Sequence, residues 1–116
     1  MPWSTANKCQ PSAGDCHRVL FIGNSYTYVN NLPQLTADLS TNTGKVLLFD
    51  SSTPGGYSYG MHSTDANTLA KIRQGGWDAV VLQEQSQIPT IDYYRYNSMY
   101  PSAELLRDSI HTYSPC

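Results

Sequence analysis

The chain has 116 residues, with seven basic and nine acidic side chains, which is the size of one domain. Because the basic residues are scattered rather than gathered into a stripe, the sequence predicts no nucleic-acid partner. No window is long and apolar enough to span a bilayer, so no membrane partner is expected. Tyrosine is the outlier, with nine copies, and its amphipathic ring suits loops that contact sugars or polymers.

The first 17 residues form a polar leader that is rich in turn-forming residues. Cys9 and Cys16 lie close together in the segment CQPSAGDC, where a small disulfide loop between them is expected. Cys116 is either a free thiol, or it pairs with another chain or with sequence beyond this end. The cysteine pair predicts a secreted or periplasmic protein, and the chain start fits a mature protein whose export signal was removed.

The remainder, residues 18–116, begins with a β-α-β pattern. The segment 18–23 is a continuous apolar run, as expected of a strand that is buried on both faces. From Asn31 onward, leucines recur at steps of three and four, and Gly44 is expected to end that helix. A second apolar strand is predicted at 45–52.

The second half repeats the alternation. Asp65 is predicted to cap a helix that stops at Gly75 and Gly76. A third buried strand is predicted at 77–83, and a loop then leads to a third helix at 101–113. The order β-α-β-α-β-α with short connections predicts an α/β fold with a parallel, doubly wound sheet.

Three strands are few for such a sheet. The third predicted strand is as apolar as a central one, yet no fourth strand follows to cover its far edge. Native proteins normally cover an apolar edge, because it invites association. The sheet is therefore expected to be incomplete, with self-association or a missing C-terminal segment completing it along the third-strand edge.

Each of the three predicted strands is followed, directly or within a few residues, by glycine or polar residues that are candidates for a binding site. In open parallel sheets, ligands bind beyond the carboxyl ends of the strands. Taken singly, each group could be a solvated turn, and a Gly-Asn-Ser turn could also bind phosphate. The phosphate motifs GxGxxG and GxxxxGK[ST] are absent. Coincidence at one edge favours a functional site built from Gly23-Asn24-Ser25, Gly55-Gly56 and Gln83-Glu84-Gln85-Ser86.

The ordered segments FIGNSYT, PGGYS and VVLQEQSQ resemble the first three conserved blocks of the SGNH (GDSL-like) hydrolase superfamily, in a branch where GNS replaces GDS. The resemblance runs from about Arg18 to the C-terminus. It implies a flavodoxin-like three-layer α/β/α sandwich and a serine ester hydrolase that forms an acyl-enzyme without a cofactor. The first substrate class to consider is acetyl esters on carbohydrates, with other small-molecule esters as the broader class.

Position within these blocks assigns roles by resemblance. Ser25 resembles the nucleophile, whose backbone N–H also binds the oxyanion, and Gly56 matches the glycine that supplies the second N–H. Gln85 stands where asparagine is usual, and its amide can donate the same bond from one methylene further away. A serine needs a base, and each oxyanion donor contributes about 3 kcal/mol. Asn24 and His62 are expected to bind substrate.

The base for Ser25 has three candidates. His17 precedes the first strand, at the opposite end from Ser25. His62 follows the Gly-Gly loop. It either lines the site or anchors the loop, or it is a surface histidine at the start of a helix. Asp108 and His111 match the family's final D-x-x-H block, in which aspartate orients the histidine base.

The D-x-x-H match lies in the helix directly after the third strand, whereas in the family one or two strand–helix units intervene. Residues at i and i+3 are common neighbours on a helix surface, so the catalytic Asp and His are expected to belong to missing C-terminal sequence. The alternative function is a non-catalytic esterase-like binding or assembly module. The three histidines and three cysteines show no metal-ligand spacing, so no metal is expected.

Overall fold

A computed structural model of the chain describes residues 16–115. Within this part of the chain there are three strands, β1 (Cys16–Ile22), β2 (Val46–Ser52) and β3 (Ala79–Leu82). They form one parallel sheet in the order β2-β1-β3, which is how the flavodoxin-like order begins. The predicted α/β fold with a parallel sheet is confirmed. Most of the predicted leader, the Cys9–Cys16 pairing and Cys116 lie outside the described residues.

Among residues 16–115, six helices accompany the sheet. The three predicted helices are present, at Leu32–Asn42, Ala66–Arg73 and Tyr100–Tyr113, whereas shorter helical turns replace segments that the sequence predicted as loops. Gly44 and Gly75 have φ of 79° and 68°, the left-handed conformation that commonly ends a helix. The helices are α1 (Ser25–Tyr28), α2 (Leu32–Asn42), α3 (Tyr59–His62), α4 (Ala66–Arg73), α5 (Asp92–Tyr94) and α6 (Tyr100–Tyr113), with a 3₁₀ turn at Ile88–Thr90 and a π-helical turn at Arg95–Met99.

The main hydrophobic core lies on one face of the sheet, between β1 and the helices α4 and α6. Leu20 and Ile22 of β1 meet Ile72 of α4 and Leu106 of α6, and all four side chains are at most 1% exposed. Full burial of large aliphatic side chains stabilises the fold by roughly 1.5–3 kcal/mol each. This cluster therefore fixes the position of β1, whose end carries Ser25.

The opposite face of β1 is buried as well. Val19 and Phe21 are 7% and 3% exposed, and the Phe21 ring meets Phe49 of β2 edge-on. The chain steps from β1 to β2 and then back across β1 to β3, so right-handed crossovers put α2 and α4 on opposite faces. Helix α2 packs against β2, and α4 packs against β1 and β2. These contacts give the three-layer arrangement.

The leucines of α2 do not form its packed face. Leu32, Leu35 and Leu39 are 44%, 50% and 67% exposed, whereas Pro33 is buried and Ala37 is half-buried. Small side chains let the helix lie close to β2. The spacing of the leucines thus predicted the helix but not the side that it buries.

The third strand is shorter than predicted, because Trp77 leaves the ladder to pack in the core. Its backbone N–H donates to the Ser114 hydroxyl at 3.1 Å, and its indole N–H donates to the Lys71 carbonyl at 3.0 Å. Within residues 16–115, β3 pairs with β1 alone, and Val81 is 41% exposed. None of the helices in this part of the chain is long and apolar enough to cross a membrane.

Candidate functional site

The carboxyl ends of the three strands meet at one edge of the sheet. Ile22 is in register with Ser52 on one side and Leu82 on the other. Pairing continues just past the strands, since Gly23 N–H donates to the Ser52 carbonyl at 3.0 Å and Gln83 N–H donates to the Ile22 carbonyl at 2.9 Å. The segments that follow β1, β2 and β3 therefore leave the sheet together, as the sequence predicted.

Ser25 is the first residue of α1 and is half-buried. The preceding Asn24 has extended backbone angles, and its side-chain oxygen accepts the N–H of Tyr26 at 3.1 Å. Such a cap favours an abrupt start of a helix. The chain therefore turns sharply at the end of β1, and Ser25 lies at the turn.

Two side chains tie the Ser25 turn to the neighbouring segments. The Asn24 amide donates to the Tyr57 carbonyl at 2.9 Å, which joins this turn to the loop after β2. The side-chain oxygen of Gln83 accepts the Asn24 N–H at 3.1 Å and the Thr27 hydroxyl at 2.9 Å, which joins the turn to the end of β3.

A third side chain closes the arrangement. One carboxylate oxygen of Glu84 accepts the N–H groups of Tyr59 and Gln85, each at 2.8 Å, which joins the end of β3 to the loop after β2. Asn24, Gln83 and Glu84, called here the loop triangle, thus connect the three segments pairwise. Asn24 and Glu84 are buried, at 3% and 6% exposure, so water competes little for these bonds.

The Gly-Gly loop is a tight turn open to solvent. Tyr57 N–H donates to the Pro54 carbonyl at 3.3 Å, and Gly56 has φ of 73°. Positive φ at the third position is the mark of a type II turn, which favours glycine. Nothing lies within 4 Å of the place where a Gly56 Cβ would be, so a ligand can approach this backbone closely.

Gly56 and Gln85 line a common cleft of about 510 Å³, together with Ser58, Met61, Gln87, Ile88, Tyr94 and Ser98. The side-chain oxygen of Gln85 accepts the Gln87 N–H at 2.9 Å, which turns this oxygen back onto its own loop. Ser25 does not line the cleft. Its neighbour Asn24 is hydrogen-bonded to Tyr57, the residue that follows Gly56.

Three donors at this edge have no acceptor within the described part of the chain: the backbone N–H groups of Ser25 and Gly56 and the side-chain amide of Gln85. Ser25 and Gln85 are half-buried, whereas Gly56 is exposed to solvent. Donors that are held in place and left open suit a ligand with a partial negative charge.

His62 lies beneath the site and anchors it. It is 0% exposed, and its Nε2 and Nδ1 lie 2.7 Å from the Gly23 carbonyl and the Thr68 hydroxyl. Because a carbonyl only accepts, Nε2 carries the proton, and Nδ1 then accepts from Thr68. The Thr68 hydroxyl in turn lies 2.7 Å from that of Ser52. The expected surface position is wrong, and the loop-anchoring role is what the structure shows.

The two residues expected to bind substrate are both committed to structural bonds. His62 has no exposed surface and uses both ring nitrogens, so it neither contacts a ligand in the cleft nor serves Ser25 as a base. The Asn24 side chain is occupied by Tyr57 and Tyr26. These residues hold the turn that carries Ser25 rather than forming the surface of the cleft.

The structure separates the remaining candidates from Ser25. His17 lies at the start of β1. His111 of α6 lines a cavity with residues 77–80 at the start of β3. Since β1 and β3 run parallel, both histidines lie at the end of the sheet opposite Ser25. Asp108 is exposed and pairs with Arg107 at 3.2 Å. Within residues 16–115, no group of three His, Cys, Asp or Glu side chains could hold a metal ion.

Gln83 and Glu84 hold the site together, yet the sequence predicted no individual role for them. Polar residues that directly follow a buried strand were the available signal. Sequence alone could not tell a side chain that faces solvent from one that crosses to a neighbouring loop, because that depends on the separation of the strand ends.

The protein is expected to lose stability on mild acidification through His62. Burial lowers the pKa of His62, against smaller raising effects from the Gly23 carbonyl and from the charges of Asp65 and Glu84. The unfolded chain titrates near 6.5, so it binds more protons than the folded chain just below that pH. The free energy of unfolding should fall between about pH 7.5 and about pH 5.5, as urea titrations would measure.

A matched pair of variants checks this dependence. His62→Gln should flatten the fall, and the exposed His111→Gln should keep it. The lowered pKa of Asp65, caused mainly by its hydrogen bond from the Thr68 N–H, acts only below about pH 4, outside this window. An equal slope in His62→Gln and the parent chain would contradict the assignment.

The chain matches no protein-family model, no curated protein and no solved structure. The function proposed below therefore has two supports: the resemblance of the three strand-end segments to SGNH hydrolases, and the geometry of the site.

Proposed function

We propose that the protein is a serine ester hydrolase of the SGNH type. The Ser25 hydroxyl attacks the ester carbonyl carbon, the alkoxy group leaves with a proton as the alcohol, and water then hydrolyses the acyl-Ser25 ester. The N–H groups of Ser25 and Gly56 and the amide of Gln85 bind the oxyanion. The observation that carries the proposal is the loop triangle, which ties the segments of these three donors together at one sheet edge.

Electrostatics supports this assignment. Loss of one oxyanion donor typically costs about 3 kcal/mol of transition-state stabilisation. Donors fixed by buried bonds need no rearrangement when charge develops. The Glu84 and Asn24 contacts, at 2.8 and 2.9 Å, are good hydrogen bonds that supply this rigidity.

The general base is proposed to come from outside the described residues. His17 and His111 lie at the far end of the sheet, and His62 has both ring nitrogens engaged. Asp108, the proposed partner of His111 in a D-x-x-H pair, is exposed beside Arg107. The described residues thus supply the proposed nucleophile and oxyanion site, and without that base acylation and deacylation should both be slow.

Acetyl esters on carbohydrates are the proposed substrate class, with a secreted or periplasmic location. Tyr94 lines the cleft beside Gly56 and Gln85. Further tyrosines on the same segment, Tyr93, Tyr96 and Tyr100, are 70%, 63% and 44% exposed. Exposed aromatic rings offer flat amphipathic surfaces, which suit the apolar faces of sugar rings.

A fluorophosphonate probe tests the proposal, because its phosphorus reacts with a serine whose oxyanion site stabilises the developing charge, slowly where no base is present, and releases fluoride. Trypsin should release a peptide covering residues 19–45, and mass spectrometry should locate the probe on Ser25 within it. Heat-denatured protein should remain unlabelled. A folded chain that takes up no probe, or takes it up evenly over its exposed serines, would contradict the proposal.

One observation favours a second function, a non-catalytic esterase-like binding or assembly module. In the part of the chain that the structure describes, no histidine offers a free nitrogen to Ser25, while the edge of β3 is open. Such a module would form a stable, inactive oligomer through that edge, which light scattering would detect. A well-folded monomer that labels at Ser25 would exclude it.

A further inference from the structure

Glu84 is a buried carboxylate whose hydrogen bonds all fall on one oxygen. It follows β3 directly and is 6% exposed. Its Oε1 accepts the N–H groups of Tyr59 and Gln85, each at 2.8 Å. Its Oε2 is buried without a hydrogen-bond partner among the described residues. A carboxylate placed here therefore holds two backbone groups and leaves its second oxygen unsatisfied, which is costly for a group with a purely packing role.

The two backbone groups belong to two different segments that contribute to the cleft. Tyr59 is the first residue of α3 and lies between Ser58 and Met61, which line the cleft, and Gln85 lines it from the segment after β3. Hydrogen bonds to an ionised oxygen are roughly twice as strong as neutral ones. Burial, with a smaller effect from the charge of Glu84, raises the pKa of Tyr59 to about 12. The carboxylate is thus closely coupled to the start of α3.

We propose that Glu84 is a positioning residue that sets the separation between the Gly56 N–H and the Gln85 amide. This inference rests on the proposed function. Glu84 is not assigned a contact with the substrate, because it is 6% exposed and does not line the cleft. It acts by keeping two oxyanion donors, supplied by different strand ends, aimed at one point.

Two substitutions separate positioning from stability. Glu84→Ala removes the acceptor, so labelling of Ser25 by the fluorophosphonate should slow by roughly a hundredfold, the penalty for a misplacement of about 1 Å. Glu84→Gln keeps a carbonyl oxygen at the Oε1 position and should label within about threefold of the parent rate. It places an amide nitrogen at the unsatisfied Oε2 position, so its melting temperature should nevertheless fall.

Hydrogen exchange gives a readout that does not depend on catalysis. Glu84→Ala should accelerate exchange at the amides of Tyr59 and Gln85, and Glu84→Gln should preserve their protection. Glu104→Ala is the matched control, since Glu104 is exposed on α6. It should change neither labelling nor exchange.

The outcomes are distinguishable. Slower labelling with faster exchange in Glu84→Ala, both rescued in Glu84→Gln, supports the inference. Unchanged exchange in Glu84→Ala overturns it, as does labelling that simply follows melting temperature across the variants. Absence of labelling in the parent chain counts against the proposed function, and the exchange comparison then decides alone whether Glu84 joins the two loops.

Discussion

Replacement of Ser25 by alanine is expected to eliminate the burst of 4-nitrophenolate that the folded chain releases from 4-nitrophenyl acetate. Acylation needs the Ser25 hydroxyl, whereas the nitrophenolate leaves readily without a general acid. With no base beside Ser25 among residues 16–115, the Ser25 proton passes to solvent and acylation should itself be slow. The nitrophenyl ester is activated and the acyl-serine ester is not, so deacylation should be slower still and the parent chain should release about one equivalent. Stopped-flow absorbance measures the amplitude.

Two variants serve as controls for this burst. Ser86→Ala removes an exposed hydroxyl from the segment that follows β3, and His111→Ala removes the histidine of the D-x-x-H match. Both should keep the full amplitude, since Ser86 has no assigned role and His111 of α6 lies beside the start of β3, whereas Ser25 lies beyond the end of β1. A burst that survives in Ser25→Ala, or disappears in His111→Ala, would refute the assigned roles.

Replacement of Gly23 by alanine is expected to destabilise the protein by about 1–3 kcal/mol, as overpacking of a tight interior does. A Cβ at Gly23 would lie 2.6 Å from the Thr27 hydroxyl oxygen and 2.7 Å from the side-chain oxygen of Gln83. These two atoms are hydrogen-bonded to each other, so neither can move without breaking the tie between β3 and the Ser25 turn. Urea denaturation should show a lower midpoint, and labelling of Ser25 should slow.

Gly55→Ala is the matched comparison for that substitution. A Cβ there would meet only the Tyr28 hydroxyl, at 3.6 Å, which is ordinary contact. Residue 55 is exposed, so the change in unfolding free energy should stay within about 0.5 kcal/mol. Equal loss of stability in the two variants would show that the crowding at Gly23 has no special cost.

Sequence patterns predicted the sheet because its signals are local. Each strand is a short apolar run, and the helices α2 and α4 are each followed by a glycine with positive φ, Gly44 and Gly75. The meeting of three strand ends also followed from parallel topology alone. The short helices α1 and α3 were missed, because one turn of helix leaves no periodic pattern and depends on caps such as Asn24 and Ser58.

The inner structure of the site could not be predicted in the same way. The sequence around His62 is compatible with a ring that faces solvent and with a ring that bonds to the Gly23 carbonyl. The distance between β1 and α3 in the folded chain decides between these two positions. Gln83 and Glu84 both reach neighbouring loops with their side chains, but the sequence does not show which loop lies within their reach. Such side-chain bridges depend on tertiary distances, which apolar periodicity does not encode.

The central claim is that Ser25, Gly56 and Gln85 face one reaction centre. A crystal structure of the chain after reaction with a fluorophosphonate tests it most directly. We predict a phosphorus–Oγ bond to Ser25, with one phosphonyl oxygen about 2.7–3.1 Å from the N–H groups of Ser25 and Gly56 and from the Gln85 amide, as oxyanion donors require. An adduct on another residue, or a phosphonyl oxygen directed to solvent away from Gly56 and Gln85, would contradict it.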